Sequence, residues 1–208
     1  MIKSNITEHS IFRGAADAER ALARLGMRCA EYAKGERILH MGERCGEFGI
    51  LLSGSVQIVR EDAGGNPVTV AHVDEGELFA EAFALSGEPL SVSVTAAKDS
   101  SVAWFSAERL LAGEEPIVCA NVLRISSRKN VFLNERIGHL SRRSIEEKVR
   151  SYLSAVRKSS GKNTFRVPFD RQGLADYLGC DRSALSAVLS KLKQRGVLDY
   201  HKNIFRIL

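Results

Sequence analysis

From about Tyr32 to Phe105 apolar and polar residues alternate with the period of strands. Examples are Gly49-Ile-Leu-Leu-Ser-Gly-Ser-Val-Gln-Ile-Val-Arg, Val68-Thr-Val-Ala-His-Val, Val92-Ser-Val-Thr-Ala and Ser101-Val-Ala-Trp-Phe. Turn signals punctuate these runs at Lys34-Gly35-Glu36, Met41-Gly42-Glu43, Ser53-Gly54, Gly64-Gly65-Asn66-Pro67, Glu75-Gly76-Glu77 and Gly87-Glu88-Pro89. Many short strands at regular spacing, with glycines at corners, predict a jelly-roll-like barrel. The pattern then changes period. From Pro116 to Leu140 the positions Val118, Val122, Ile125, Lys129, Phe132, Arg136 and His139 alternate steps of four and three. That spacing predicts a helix of roughly 35 Å with a coiled-coil-like seam. The seam, flanked by Arg124, Arg128 and Glu135, favours a parallel dimer over a helix packed only on its own barrel.

The last forty residues show a third pattern. Leu174, Ala175 and Leu178 share one helical face, and Leu185, Val188, Leu189 and Leu192 share another. Asp170 and Asp181 precede these runs as caps, neither with the Glu or Gln of a full capping box. Gly179 opens the turn between them, and Gly196 follows the second helix. This predicts a helix-turn-helix. The face opposite the apolar stripe carries Arg182, Ser183, Ser186, Ala187 and Ser190, small or hydrogen-bonding groups suited to a DNA groove and its phosphates. Val197–Asp199 and Ile204–Ile207 then read as a β wing turning through Tyr200–Asn203, with His201 and Lys202 near the DNA backbone.

Charge sharpens the division. From Ser141 onward there are 15 Lys and Arg against 6 Asp and Glu, a net of +9, while residues 1–140 hold 15 against 19, a net of −4. A basic module on an acidic body attracts polyphosphate. The expected domains are 1–115, a β-barrel; 116–140, a dimerisation helix; and 141–208, a DNA reader, in an α+β fold. No apolar run reaches membrane-spanning length and the N-terminus lacks a signal-peptide core, which predicts a cytoplasmic protein without a membrane partner. Cys29, Cys45, Cys119 and Cys180 are scattered without CxxC spacing, so no metal site is expected. No spacing among the five histidines points to haem, although haem ligation stays open. No nucleophile–base grouping or phosphate loop suggests an enzyme.

Two motif blocks carry a family resemblance over nearly the whole chain. Tyr32-Ala-Lys-Gly-Glu-Arg-Ile-Leu through Phe48-Gly-Ile-Leu-Leu-Ser-Gly-Ser-Val-Gln-Ile resembles the cyclic-nucleotide-binding barrel. Arg171-Gln172 through Gly196-Val197-Leu198 resembles the winged helix-turn-helix of the Crp/Fnr superfamily of bacterial transcription regulators. Asn134-Glu135-Arg136 through Ser144-Ile-Glu-Glu-Lys-Val is similar to that family's hinge. The resemblance implies a homodimer through the long helix and double-stranded DNA bound at a palindromic operator, with half-sites about one helical turn apart. It also implies contact with RNA polymerase should the protein activate. The DNA-binding residues implied are Arg171, Gln172, Arg182, Ser183, Ser186, Ala187, Ser190 and Lys202. An effector pocket between barrel and helix is expected at Phe79, Glu81, Phe83, Leu90 and Ser91, with Leu123 or Ser127 from the helix. The departures are informative. Cyclic-nucleotide binders in this superfamily carry Gly-Glu and later Arg-Ser, where this chain has Ala80-Glu81 and Leu90-Ser91. Without that Arg a cyclic phosphate lacks its bidentate partner, so cyclic AMP is not the expected effector. The cysteine cluster of the oxygen-sensing branch is absent, so no iron–sulfur cluster is expected. Ser183 and Ala187 replace the family's usual Glu and Arg, which predicts an altered operator.

Overall fold

The computed structural model describes residues 6–61 and 67–208. Of the predicted turns, Gly64-Gly65-Asn66 lies outside the described residues. The chain divides into two compact units, one up to Ser127 and one from Arg128 to Leu208.

In the first unit a short helix, α1 (Ala18–Arg24), precedes eight strands: β1 (Arg28–Tyr32), β2 (Arg37–Leu39), β3 (Glu47–Ser53), β4 (Val56–Glu61), β5 (Pro67–Val73), β6 (Leu78–Phe79), β7 (Ser93–Ala96) and β8 (Ser100–Ser106). They form two four-stranded antiparallel sheets, ordered β1-β8-β3-β6 and β2-β7-β4-β5. Such non-consecutive pairing is what the jelly-roll reading requires. Between the sheets Leu51, Val56, Phe79, Val94, Val102 and Trp104 form one core cluster, with Phe79 edge-on to Trp104 at 5.3 Å. Gly49 is required there, because a Cβ would stand 2.6 Å from the Phe79 ring. A second cluster, around Phe12, Phe48, Phe105 and Leu110, lies under α3 (Ala107–Leu111). The strand pattern did not predict α2 (Glu81–Ser86), which begins after Ala80 in left-handed backbone at φ 62°.

The long helix, α4, spans Pro116–Leu140 as its period predicts. Its rotational phase differs from the predicted seam. Val118 and Val122 are fully buried in the barrel's own second cluster, and Ile125 packs against it. Farther along, Phe132 lies 5.7 Å from the Tyr177 ring, and Arg136 binds backbone of the same segment. Val118, Val122 and Ile125, expected to dimerise, therefore pack on the barrel of their own unit, and this is a correction; in the second unit Phe132 touches Tyr177 but stays 48% exposed, and Arg136 is half-buried. Lys129 follows the same spacing. The opposite face carries exposed Leu123, Val131 and Ile137, and Leu133 and Ile117 are also open. Ala120, Leu123, Ser127, Asn130, Asn134 and Ile137 follow their own three-four spacing along it. The error has a physical cause: the buried stripe is the one that repays burial within the chain, and the spacing rule does not say against what a stripe packs.

The second unit begins with the end of α4 and continues through α5 (Ile145–Ser160), β9 (Thr164–Arg166), α6 (Arg171–Tyr177), α7 (Arg182–Gln194), β10 (Leu198–His201) and β11 (Ile204–Ile207). A capping box between Ser144 and Glu147 starts α5. Val149, Leu153, Leu174, Leu178, Leu185, Leu189, Leu192 and Phe205 close one apolar core. The strands pair β10-β11-β9, so the wing is a hairpin with a third strand behind it. Its turn is tighter than predicted, because the strands extend to the His201–Ile204 pair and leave only Lys202 and Asn203 to turn. No helix among the described residues is long and apolar enough to cross a membrane.

Candidate nucleic-acid interface

Two aspartates set the helix-turn-helix. Asp170 accepts from the Gly173 N–H at 2.7 Å and starts α6. Asp181 accepts from the N–H groups of Ser183 (2.8 Å) and Ala184 (3.1 Å) and from the Ser183 hydroxyl, and starts α7. These bonds hold the Asp181 carboxyl below its ordinary pKa. Between the helices Gly179 takes φ 57°, and a Cβ there would come within 3.1 Å of Leu140.

The burial of Leu185, Leu189 and Leu192 fixes which face of α7 is presented. Arg182, Ser183, Ala187 and Ser190 are exposed, as expected, and Ser186 is half-buried. Three of the expected contacts are already engaged within the chain. The Ser186 hydroxyl donates to the Arg182 carbonyl at 2.9 Å. Gln172 donates to Asp176 Oδ1 at 2.9 Å. Arg171 lies over the rings of Tyr200 (5.0 Å) and Phe205 (5.9 Å) and donates to the Lys202 carbonyl at 3.5 Å. Arg171 thus joins the start of α6 to the wing. Lys202 itself is exposed at the hairpin tip, at φ 53°. Sequence reasoning missed Lys191 and Gln194, which are exposed and extend the Ser183–Ala187 face by one more turn. The spacing from Ala187, four and then three residues, was the available signal. Two neighbouring basic groups are paired instead: Lys193 with Asp199 at 2.6 Å and Arg195 with Glu146 at 3.0 Å.

The C-terminal part of α4 grips the helix-turn-helix from behind. Arg136 donates from Nε to the Tyr177 carbonyl (3.1 Å) and from Nη2 to the Asp176 carbonyl (3.0 Å), with its guanidinium 5.4 Å from the Tyr177 ring. Arg136 thus adds side-chain donors to carbonyls at the end of α6, where the Asp176 carbonyl also accepts from the Gly179 N–H at 3.3 Å. His139 is buried, joined to the Ser151 hydroxyl at 2.9 Å and packed against Tyr152 and Tyr177. Burial lowers its pKa; Glu135 opposes the shift and Arg142 adds to it. Burial pushes the Tyr152 phenol up to about 12.

The expected effector residues differ in exposure. Phe79 and Leu90 are each 2% exposed and serve as core side chains, which corrects their assignment as ligand-facing. Leu90 is further fixed by backbone bonds with Glu43 (2.8 Å) and Gly42 (2.7 Å). Glu81 is buried in the first turn of α2, Phe83 is half-buried and Ser91 is exposed. Leu123 and Ser127 are exposed on the outward face of α4, opposite the stripe that meets the barrel, so within one chain they do not close on it.

Comparison with known proteins agrees with this arrangement. Residues 29–112 match the cyclic nucleotide-binding domain family, and residues 147–208 match the Crp-like helix-turn-helix domain family. The chain belongs to the Crp/Fnr superfamily of transcription regulators. The cyclic AMP receptor protein of Thermus thermophilus is 26% identical over 190 residues, covering 90% of this chain and 87% of that one. A probable transcriptional regulator of Lacticaseibacillus casei is 28% identical over 116 residues, and the match spans 56% of this chain and only 52% of that relative. Among solved structures, CprK complexed with OCPA superposes with a TM-score of 0.65 at 17% identity, covering 91% of this chain and 89% of the other. The c-di-GMP responsive regulator CLP of Xanthomonas campestris gives 0.54 at 20% identity, covering 91% and 96%. At these identities the two structures speak for the fold alone.

Proposed function

We propose that this Crp/Fnr-superfamily protein is a sequence-specific DNA-binding regulator that acts as a homodimer. The observation that carries the reading is the exposed face of α7. Arg182, Ser183, Ala187, Ser190, Lys191 and Gln194 stand opposite a fully buried leucine stripe, beside a wing tip carrying Lys202. Small residues at the middle of that face let the helix sit deep in a major groove, while Arg182 and Lys191 reach base edges or phosphates. The outward stripe of α4 supports a parallel two-fold pairing, because Leu123, Val131 and Ile137 are more than half exposed in the single chain. A two-fold dimer reads a palindrome with half-sites about one helical turn apart. An activator built this way also contacts RNA polymerase.

The effector, where one acts, is not cyclic AMP. Leu90 is buried where the cyclic-nucleotide binders of the family place an Arg, so a phosphate there would meet an apolar side chain. Sub-millimolar cyclic-AMP binding by titration calorimetry would contradict this. Selection from random duplex DNA with the full chain tests the main reading. Enrichment of a palindrome is expected, and sequence-blind binding that merely falls with salt would refute it.

A further inference from the structure

We propose that the DNA-binding unit carries a second ligand site, a groove beside α5 that takes an elongated anion with an apolar body, such as a medium-chain carboxylate. The groove has a volume of about 930 Å³, within the range of small-molecule sites. A shallower hollow of about 380 Å³ shares Ser154 and Arg157 with it and continues toward Lys158 and Lys162. The groove's apolar lining is Val197, Ile207, Leu153 and Leu198. Its cationic lining is Arg142 and Arg143 from the α4–α5 connection and Arg150 and Arg157 from α5 itself.

Three of these four guanidiniums, those of Arg142, Arg143 and Arg157, have no ion-pair or hydrogen-bond partner among the described residues. Arg150 is held loosely by Glu146 at 3.6 Å. The one carboxylate in the groove, Glu147, is already committed to the N–H groups of Arg143 (3.1 Å) and Ser144 (3.3 Å). Three unpaired guanidiniums around an apolar strip are complementary to a carboxylate or phosphate on a hydrocarbon body, through paired charge-assisted bonds at one end and burial of the other.

The site is separate from the DNA face. It lies at the open end of the β10–β11 hairpin, at the Leu198–Ile207 pair, whereas Lys202 sits at the closed end, four residues or about 13 Å away. It is also wired to the connection with α4. Ser151 lines the groove and holds His139 of α4 at 2.9 Å, and Arg142 and Arg143 form the connection itself. An occupant therefore bears on the segment joining the long helix to the DNA reader. That consequence for DNA rests on the function proposed above; binding in the groove does not.

The test is calorimetric titration of the full chain with decanoate, against acetate (charge without the body) and 1-decanol (body without the charge). Decanoate is expected to bind at least roughly tenfold tighter than either. The exposed double variant R143Q/R157Q should fold normally by circular dichroism and lose that preference. Hydrogen exchange should slow at Leu153–Arg157 and at Val197–Leu198 when decanoate is added. Equal binding by the double variant, equal binding of decanol, no binding of decanoate, or displacement of decanoate by a random-sequence duplex at low salt would each overturn the proposal. The last would make the groove a DNA-backbone contact.

Discussion

Two adjacent residues of α4 distinguish its two faces. Leu123 is 55% exposed and Val122 is fully buried in the barrel core. Full burial of a Leu side chain is worth about 1.5–3 kcal/mol, so pairing α4 with its copy leaves Leu123 about 1 kcal/mol still to gain. Two-fold symmetry counts it twice. Leu123→Ala should therefore weaken the dimer by ~2 kcal/mol, roughly 30-fold in dissociation constant, with little change in unfolding. Val122→Ala should do the reverse. It removes two buried methyl groups from the core, at a cost of ~2 kcal/mol. At roughly 4 °C per kcal/mol for a unit of this size, melting should fall by ~8 °C while the dimer constant holds. A sedimentation dilution series together with thermal unfolding reads both quantities. If Val122→Ala weakened the dimer at an unchanged melting temperature, and Leu123→Ala left the dimer intact, the inward and outward faces would be reversed and the assignment refuted.

Arg182→Ala should lose ~1–3 kcal/mol of binding to the selected operator, and Ser186→Ala very little, because the Ser186 hydroxyl is spent on the Arg182 carbonyl; fluorescence anisotropy on the cognate duplex decides, and equal losses would contradict it. Lys191→Ala should lower the salt slope of DNA binding by about one, and an unchanged slope would remove Lys191 from the interface. His139 is held below its ordinary 6.5 by burial, so as pH falls through about 6.5 the unfolded chain takes up the proton first and stability drops. A melting series from about pH 7.5 to about 5.5 should show that drop, reduced in His139→Gln; an identical slope in the variant would exclude His139 as its source. Gly49→Ala should destabilise the barrel by ~1–3 kcal/mol, since the new methyl meets the Phe79 ring at 2.6 Å, and Phe79→Leu in the same chain should recover part of the loss in thermal unfolding.

What the sequence discloses and what it withholds follow from the range of the forces involved. The caps at Asp170 and Asp181, the Gly179 turn and the leucine stripes of α6 and α7 are local, written within a few residues, and each was legible. The strand pattern was legible for the same reason, through period-two burial and corner glycines such as Gly54 at φ 94°. The rotational phase of α4 was not. Two stripes satisfy three-four spacing on opposite sides of this helix, and only the barrel and α6, both distant in sequence, decide which one is buried. Leu90 and Phe79 misled for a related reason. Alignment to a family's ligand positions gives the place in the barrel, whereas burial depends on what fills the space, and here the ring of Phe79 over Gly49 fills it. Engaged partners were equally invisible. Nothing in Arg171-Gln172 says that both side chains already have acceptors within the chain.

The division of α4 into two faces also bears on how such a molecule couples assembly to DNA reading. In the second unit the inward face of α4 holds the end of α6 through Arg136 and packs His139 beneath Tyr177, immediately before the Gly179 turn that aims α7. The outward face carries Val131 and Ile137 over the same span. Over this span α4 exposes apolar residues on one side and binds carbonyls of α6 on the other. A turn of 100° separates successive residues, so rotating the helix enough to re-register the outward stripe by one residue would carry Arg136 off both carbonyls. In the proposed dimer the two contacts would not be independent, because a pairing of the outward stripe that favours one rotation of α4 favours one position of α6. The polar residues on the inward face are the price of that coupling: a purely apolar seam could bury as much surface, but it could not hold the Asp176 and Tyr177 carbonyls in register.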